Sequence, residues 1–284
     1  MFPGKLHTLG PMFRDERMVR WLWNGLSHFR LFQRYLDGED IQPLLSEANG
    51  IGANVLRVFC MYAVGIGDFY PQRYPQYDAK MQDFISFVGS AGLRIEWVIL
   101  AACQYVMPDV DDQRRFVNQV ANRCRGWTNC FVSLGNEAPQ NGWKPEHFTR
   151  PTGADAPLFS FGSGLSDQPP ERRGDYLEWH GRRDWPKVFA SAEDMWYVGQ
   201  GITSDGVRYA NQAPIVHDEP IGFAEADQPG RRSTDPDLAR TLALSGLAFG
   251  SGATFHSDAG VNSVPMGPVQ RRCAGAFFGE FRDR

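Results

Sequence analysis

With 284 residues, 42% of them hydrophobic and 22% charged, the chain has enough apolar material for a full core, which excludes an intrinsically disordered protein. A net charge of −4 and a pI near 5.9 exclude the basic surface of a nucleic-acid binder. The arginine pairs at 172–173, 182–183, 231–232 and 271–272 are scattered rather than gathered into one stripe. No apolar run approaches the ~18 residues that a membrane span needs.

Five cysteines without a CxxC spacing read as reduced core thiols, not as a disulfide frame. The opening MFPGKLHTLGPMF lacks a charged stretch followed by an apolar one, so no signal peptide is visible. That makes the chain cytoplasmic by default, or a domain cut from a longer secreted or virion protein.

In chain order, short apolar runs alternate with helix-like stretches, the pattern of a parallel sheet wrapped by helices. MFRDERMVRWLW predicts a small hairpin within an N-terminal extension, residues 1–20, lying over the bottom of the fold. The first strand candidate is WLWNGLSHF (21–29), followed by the helix DGEDIQPLLSEANGIG. NVLRVFCMY (54–62) is the second, followed by YDAKMQDFISFVGSAG as a helix. LRIEWVILAA (93–102) is the third, and the double Asp of DDQRRFVNQVANRCRG suits the first turn of the helix behind it. CFVSLGNE (130–137) is the fourth.

From 138 to 175 the chain is rich in Pro, Gly and Ser; PLFSFGSG (157–164) and DYLEWHG (175–181) are the fifth and sixth candidates. KVFASAEDMWYVGQG then precedes APIVHDEP (213–220), and DPDLARTLALSGLAFGSG precedes ATFHSD (253–258). PVQRRCAGAFFGEF closes the chain as a helix. Eight strands with intervening helices, in about the ~250 residues of that fold, predict a single (β/α)8 barrel over 1–284. A doubly wound open sheet is the rival, but neither GxGxxG nor GxxxxGK[ST] is present.

A barrel gathers its chemistry at the C-terminal ends of its strands. Those ends carry His28, Arg57, Asn136-Glu137, His180, His217-Asp218-Glu219, His256 and Asp258. Glu137 and Glu219 end the fourth and seventh strands, which face one another across the mouth. Two carboxyls so placed attack a glycosidic bond from opposite sides, one protonating the leaving oxygen and the other adding to the anomeric carbon.

LGNE at the end of strand four, a Glu at the end of strand seven, GANVLRVF on strand two and WNGLSHFRLF at strand one together resemble the retaining glycoside hydrolases of clan A. These are (β/α)8 enzymes of the cellulase, mannanase and β-glycosidase kind. The resemblance implies Glu137 as acid/base and Glu219 as nucleophile. It also implies Asn136 on the sugar 2-hydroxyl, Arg57 beneath the nucleophile to hold it ionised, and an oligosaccharide or polysaccharide substrate with no cofactor. The departures are those of an outlying family. His180 stands where many members have Tyr, Phe255 and His256 where many have Trp, and His217 and Asp218 flank the nucleophile.

Aromatic rings in the mouth loops would stack on sugar faces: Tyr70, Tyr74, Tyr105, Trp143, Trp179 and Trp185, with Trp143 foremost because it follows the acid/base directly. The substrate-binding expectation is therefore Asn136, Arg57, His180, His217, His256, Trp143, Trp179 and Tyr105. Two alternatives stay open. One is a metal-dependent barrel hydrolase using His28, His180, His217, His256, Asp218 and Asp258. The other is a catalytically silent carbohydrate-binding barrel.

Overall fold

A computed structural model describes residues 1–63, 67–164, 170–180, 213–218, 235–249 and 251–282. Three short antiparallel strands come first, β1 (His7–Leu9), β2 (Met12–Arg14) and β3 (Arg20–Trp21). Eight parallel strands follow: β4 (Trp23–Ser27), β5 (Val55–Phe59), β6 (Arg94–Leu100), β7 (Cys130–Gly135), β8 (Leu158–Ser160), β9 (Leu177–His180), β10 (Ile215–Asp218) and β11 (Gly252–Phe255). Their order is β8-β7-β6-β5-β4-β11-β10-β9. The two outer strands approach each other, since Asp175 N donates to Phe159 O at 2.7 Å. The result is a nearly closed (β/α)8 barrel, and all eight expected strands are in it.

Helices connect the parallel strands, as crossovers require, and two more follow the last strand. Among the described residues they are α1 (Leu31–Leu36), α2 (Gln42–Ile51), α3 (Tyr77–Ser90), α4 (Cys103–Val106), α5 (Val110–Cys124), α6 (Ala138–Asn141), α7 (Pro236–Phe249), α8 (Asp258–Asn262) and α9 (Pro268–Gly279). The expected helix over KVFASAEDMWYVGQG lies outside the described residues. α2 stops where Gly52 takes φ +94, a conformation that only glycine adopts without strain. α5 starts one residue before the expected double Asp, because the Asp109 side chain accepts from the backbone N–H groups of Asp111 and Asp112. With helices outside and packed side chains inside, β5, β6 and β7 are buried along their whole length, so they read as continuous apolar runs.

The N-terminal strands close the bottom of the barrel. Phe13 of β2 is fully buried, with its ring centroid 5.8 Å from Trp23, 5.8 Å from Phe131 and 5.9 Å from Tyr176. Trp23 and Phe131 lie at the first turns of β4 and β7, so an aromatic plug fills the lowest layer. Burying rings of this size contributes about 2–3 kcal/mol each. The chemistry is thereby left to the upper layers.

At the opposite rim two glycines let loops pass close. A Cβ on Gly162, whose φ is +77, would lie 2.1 Å from Gly135 O, and one on Gly135 would lie 2.3 Å from Leu100 O. Gly162→Ala is therefore expected to lower stability by about 2–4 kcal/mol. Gly275→Ala, in open space on α9, is expected to raise it by about 0.5–1 kcal/mol. Urea midpoints of the two variants check both; equal midpoints would refute the close approach.

Candidate active site

Where β7 ends, the chain turns sharply. Asn136 N donates to Leu100 O at 3.0 Å, and Glu137 takes φ +40. A left-handed glutamate costs about 1–3 kcal/mol, and the surroundings hold it there. Glu137 N donates to Ser163 Oγ at 3.2 Å, Asn141 Nδ2 to Asn136 O at 2.9 Å, and Trp143 Nε1 to the same carbonyl at 3.1 Å. Gln140 Nε2 donates to Glu137 Oε2. The strain thus serves to present one carboxylate at the barrel mouth.

Below it stands Arg57, fully buried. Its Nη2 donates to Asn136 Oδ1 at 3.0 Å and lies 2.7 Å from Asp218 Oδ2. Its Nε lies 3.5 Å from Glu96 Oε2. Phe29 and Phe59 present their rings to the guanidinium at 5.4 and 5.2 Å, which favours the cation further. Arg57 therefore supports the Asn136–Glu137 turn, and among the described residues it pairs most closely with Asp218 and more distantly with Glu96. The expected partner, Glu219, lies outside the described residues.

His180 joins the two sides of the site. In register with Asp218 on the neighbouring strand, it places Nε2 3.1 Å from Asp218 Oδ2 and Nδ1 3.4 Å from Glu137 Oε1. His256 also faces inward, with Nδ1 3.0 Å from Ser27 Oγ and its ring 5.1 Å from that of Phe29. Tyr105 is 62% exposed on α4. Arg57, Asn136, Glu137 and His180 are thus brought together in one network, with His256 linked to it through the Phe29 ring.

Three of the expected substrate contacts lie on other faces or beneath the turn. Along β9 and β10 alternate residues face alternate sides, and Glu178, His180, Val216 and Asp218 take the inside. Trp179 and His217 therefore fall on the outer face, register partners with rings stacked at 5.6 Å, and Trp179 packs with Leu177 and Ile215. Trp143 is only 3% exposed and lies over Gly135, donating to the chain beneath it. It braces the Asn136–Glu137 turn. Trp185 lies outside the described residues.

A deeper layer gave no signal at the strand ends. Glu96 and Glu178 are fully buried mid-strand carboxyls; Tyr176 Oη donates to Glu96 Oε1 at 2.9 Å. Burial, and then the charges of Glu178 and Asp218, push the Glu96 carboxyl well above its ordinary range against the pull of Arg57. Burial and then Asp218 push Glu178 up to about 7, opposed by Arg57 and the Ser133 and Ser160 hydroxyls. The signal in the sequence was a charge set inside an apolar run, as in LRIEWVIL and DYLEWHG. Of the remaining histidines, His28 is buried, and burial followed by Arg34 lowers it to about 4, so its ring is neutral at pH 7.

Glu178 has a direct consequence for stability. Its proton leaves the unfolded chain near 4.5 but the folded one only near 7, so the unfolded state binds fewer protons across that window. Its contribution is present below about pH 4.5 and lost as pH rises to about 7, up to about 3 kcal/mol. Glu178→Gln is expected to remove one proton's worth of this slope, read by urea titrations between pH 4.5 and 8. An unchanged slope would refute the assignment.

Among the described residues, no group of three or more His, Cys, Asp or Glu side chains is disposed to hold a metal ion. No described helix is long and apolar enough to cross a membrane.

No family model matches the chain, and no curated protein matches it. Solved structures do. A β-glucanase from Saccharophagus degradans superposes with a TM-score of 0.67 at 13% identity, over 99% of this chain and 94% of that one. A family 5 glycoside hydrolase from Bacteroides vulgatus superposes with 0.68 at 16% identity, over 92% of this chain and 63% of its own. GH5_18 from Bifidobacterium longum superposes with 0.61 at 12% identity, over 93% and 80%. The chain has the fold of these glycoside hydrolases. It spans less than two thirds of the Bacteroides protein's length, and at such identities the likeness concerns the barrel. Within this barrel, the Asn136–Glu137 turn lies at the strand-end face, where barrel enzymes build their active sites.

Proposed function

We propose that the protein is a glycoside hydrolase that cleaves a β-linked oligosaccharide or polysaccharide with retention of configuration. Glu137 is the acid/base and Glu219 the nucleophile. The observation that carries the reading is Glu137 itself, a carboxylate held in a strained left-handed turn at the barrel mouth, beside Asn136 and Arg57. Strain of this kind persists where the surrounding structure imposes it, commonly at functional sites. Supporting the substrate class, the Saccharophagus β-glucanase has been solved with cellotetraose and the Bifidobacterium protein with mannosyl-β1,4-N-acetylglucosamine.

In the first step Glu137 gives its proton to the glycosidic oxygen while the nucleophile adds to the anomeric carbon and the aglycone leaves. In the second, Glu137 takes a proton from water as that water displaces the nucleophile. In this reading Asn136, which accepts from Arg57, hydrogen-bonds a sugar hydroxyl beside the reacting centre.

A panel of aryl β-glycosides tests the reading. The wild type is expected to turn over at least one. Glu219→Ala is expected to lose turnover and, with azide, to release a glycosyl azide of inverted configuration. Loss of turnover rescued by azide in Asp218→Ala but not in Glu219→Ala would move the nucleophile. A folded wild type inactive on every sugar would leave a carbohydrate-binding barrel.

A further inference from the structure

The residue before the expected nucleophile has its own part. Asp218 is fully buried, and its Oδ2 takes two contacts, Arg57 Nη2 at 2.7 Å and His180 Nε2 at 3.1 Å. Arg57 can only donate, so Asp218 meets it as a carboxylate and has no proton to give the ring. The nitrogen facing that carboxylate must then carry the hydrogen. Arg57 also offsets the pull that Asp218 alone would exert toward an imidazolium. The other ring nitrogen, Nδ1, lies 3.4 Å from Glu137 Oε1. On the far side of the same carboxyl, Oε2 already accepts from Gln140, so a proton on Glu137 belongs to Oε1, against Nδ1.

We propose that Asp218 is a positioning residue for the acid/base. It holds His180 as the Nε2–H tautomer, and the lone pair on Nδ1 receives the hydrogen bond from protonated Glu137. The opposite tautomer would set an N–H against Oε1 and favour the bare carboxylate, and it would leave two buried acceptors facing each other at Asp218. Nδ1 and Oε1 stand at the long end of hydrogen-bond range, as such pairs often do before substrate binds. Among the described residues, the charged and titratable groups facing this chain include Glu178 on the strand of His180, Arg57 on β5, Glu96 on β6, Asp218 on β10 and Glu137 after β7. No proton is gained or lost in the arrangement. During turnover Glu137 gives its proton to the leaving oxygen and regains one from water, and the neutral ring serves the protonated form at both ends of the cycle. The inference rests on the acid/base reading of Glu137.

Two readouts test it on the full chain. Side-chain 15N shifts of histidine-labelled wild type, with His180 assigned by its loss in His180→Asn, are expected to show a protonated Nε2 and an unprotonated Nδ1 at pH 7. A protonated Nδ1 or an imidazolium would overturn the proposal. This measurement needs no substrate, so it stands apart from any failure of the glycosidase reading and from any misfolding of an Asp218 variant. In kinetics, Asp218→Ala is expected to lose about tenfold more kcat/KM on a glycoside with a poor leaving group than on a dinitrophenyl glycoside, which needs no acid. Asp218→Asn, whose amide oxygen can still accept from Nε2, is expected to recover most of that difference. Equal losses on both substrates would overturn the proposal.

Discussion

Arg57→Ala is expected to lower the stability of the folded chain by about 3–5 kcal/mol, a large part of the about 5–15 kcal/mol that a domain commands. Arg57 is the cation that Glu96 and Asp218 share at 3.5 and 2.7 Å in the barrel interior. Removing it strands buried charge: Asp218 loses its ion pair, and Glu96 and Glu178 lose the positive charge that opposes their burial. The carboxyls would take up protons in response, so the variant's deficit should shrink as pH falls. A double-mutant cycle with Asp218→Ala isolates the pair, because the double variant no longer contains the stranded carboxylate. The expected result is a double variant clearly more stable than the sum of the single losses; strict additivity in urea titrations would contradict the buried-network account.

Glu137→Ala is expected to lower kcat/KM by about 10²–10⁴-fold on glycosides with poor leaving groups, the range that general acid–base catalysis supplies. Dinitrophenyl glycosides leave without a proton and should lose far less in the first step. Azide should rescue the variant and give a product of retained configuration. The same residue makes a separate prediction about stability. Because its φ is +40, Glu137→Gly should be more stable than Glu137→Ala by about 1 kcal/mol. Urea midpoints of the two variants check this; an alanine variant as stable as the glycine one would remove the argument from strain.

Much of this was legible in the sequence, for a simple reason. In a parallel barrel each strand is buried on both faces, so WLWNGLSHF, NVLRVFCMY, LRIEWVIL and the rest stand out as apolar runs, and strand ends mark the chemical face. Asn136, Glu137, His180 and His256 sit at strand ends as that rule expects; Arg57, expected with them, lies mid-strand in β5. The helix α1 did not, because it is six residues long and Arg30 before it offers no side-chain cap. Position at a strand end also says nothing about facing. Trp179 and His217 sit beside inward His180 and Asp218, and the two-residue alternation turns them outward. Trp143 follows Glu137 closely in sequence, yet the bare Gly135 beneath it lets the indole sink onto the turn. Glu96 and Glu178 were visible as charges inside strands, but their meaning depends on a guanidinium contributed by a third strand. Contacts of that kind link distant parts of the chain and leave no local pattern.

The measurement that bears most directly on the central claim is mass spectrometry after reaction with a 2-deoxy-2-fluoro dinitrophenyl analogue of whichever glycoside the chain hydrolyses. A retaining enzyme of this design forms a covalent glycosyl intermediate that the fluorine makes long-lived. One glycosyl unit on the peptide containing Glu219, absent in Glu219→Ala, is the predicted result. Steady turnover of the parent glycoside to product of inverted configuration, with no adduct on any residue, would contradict it.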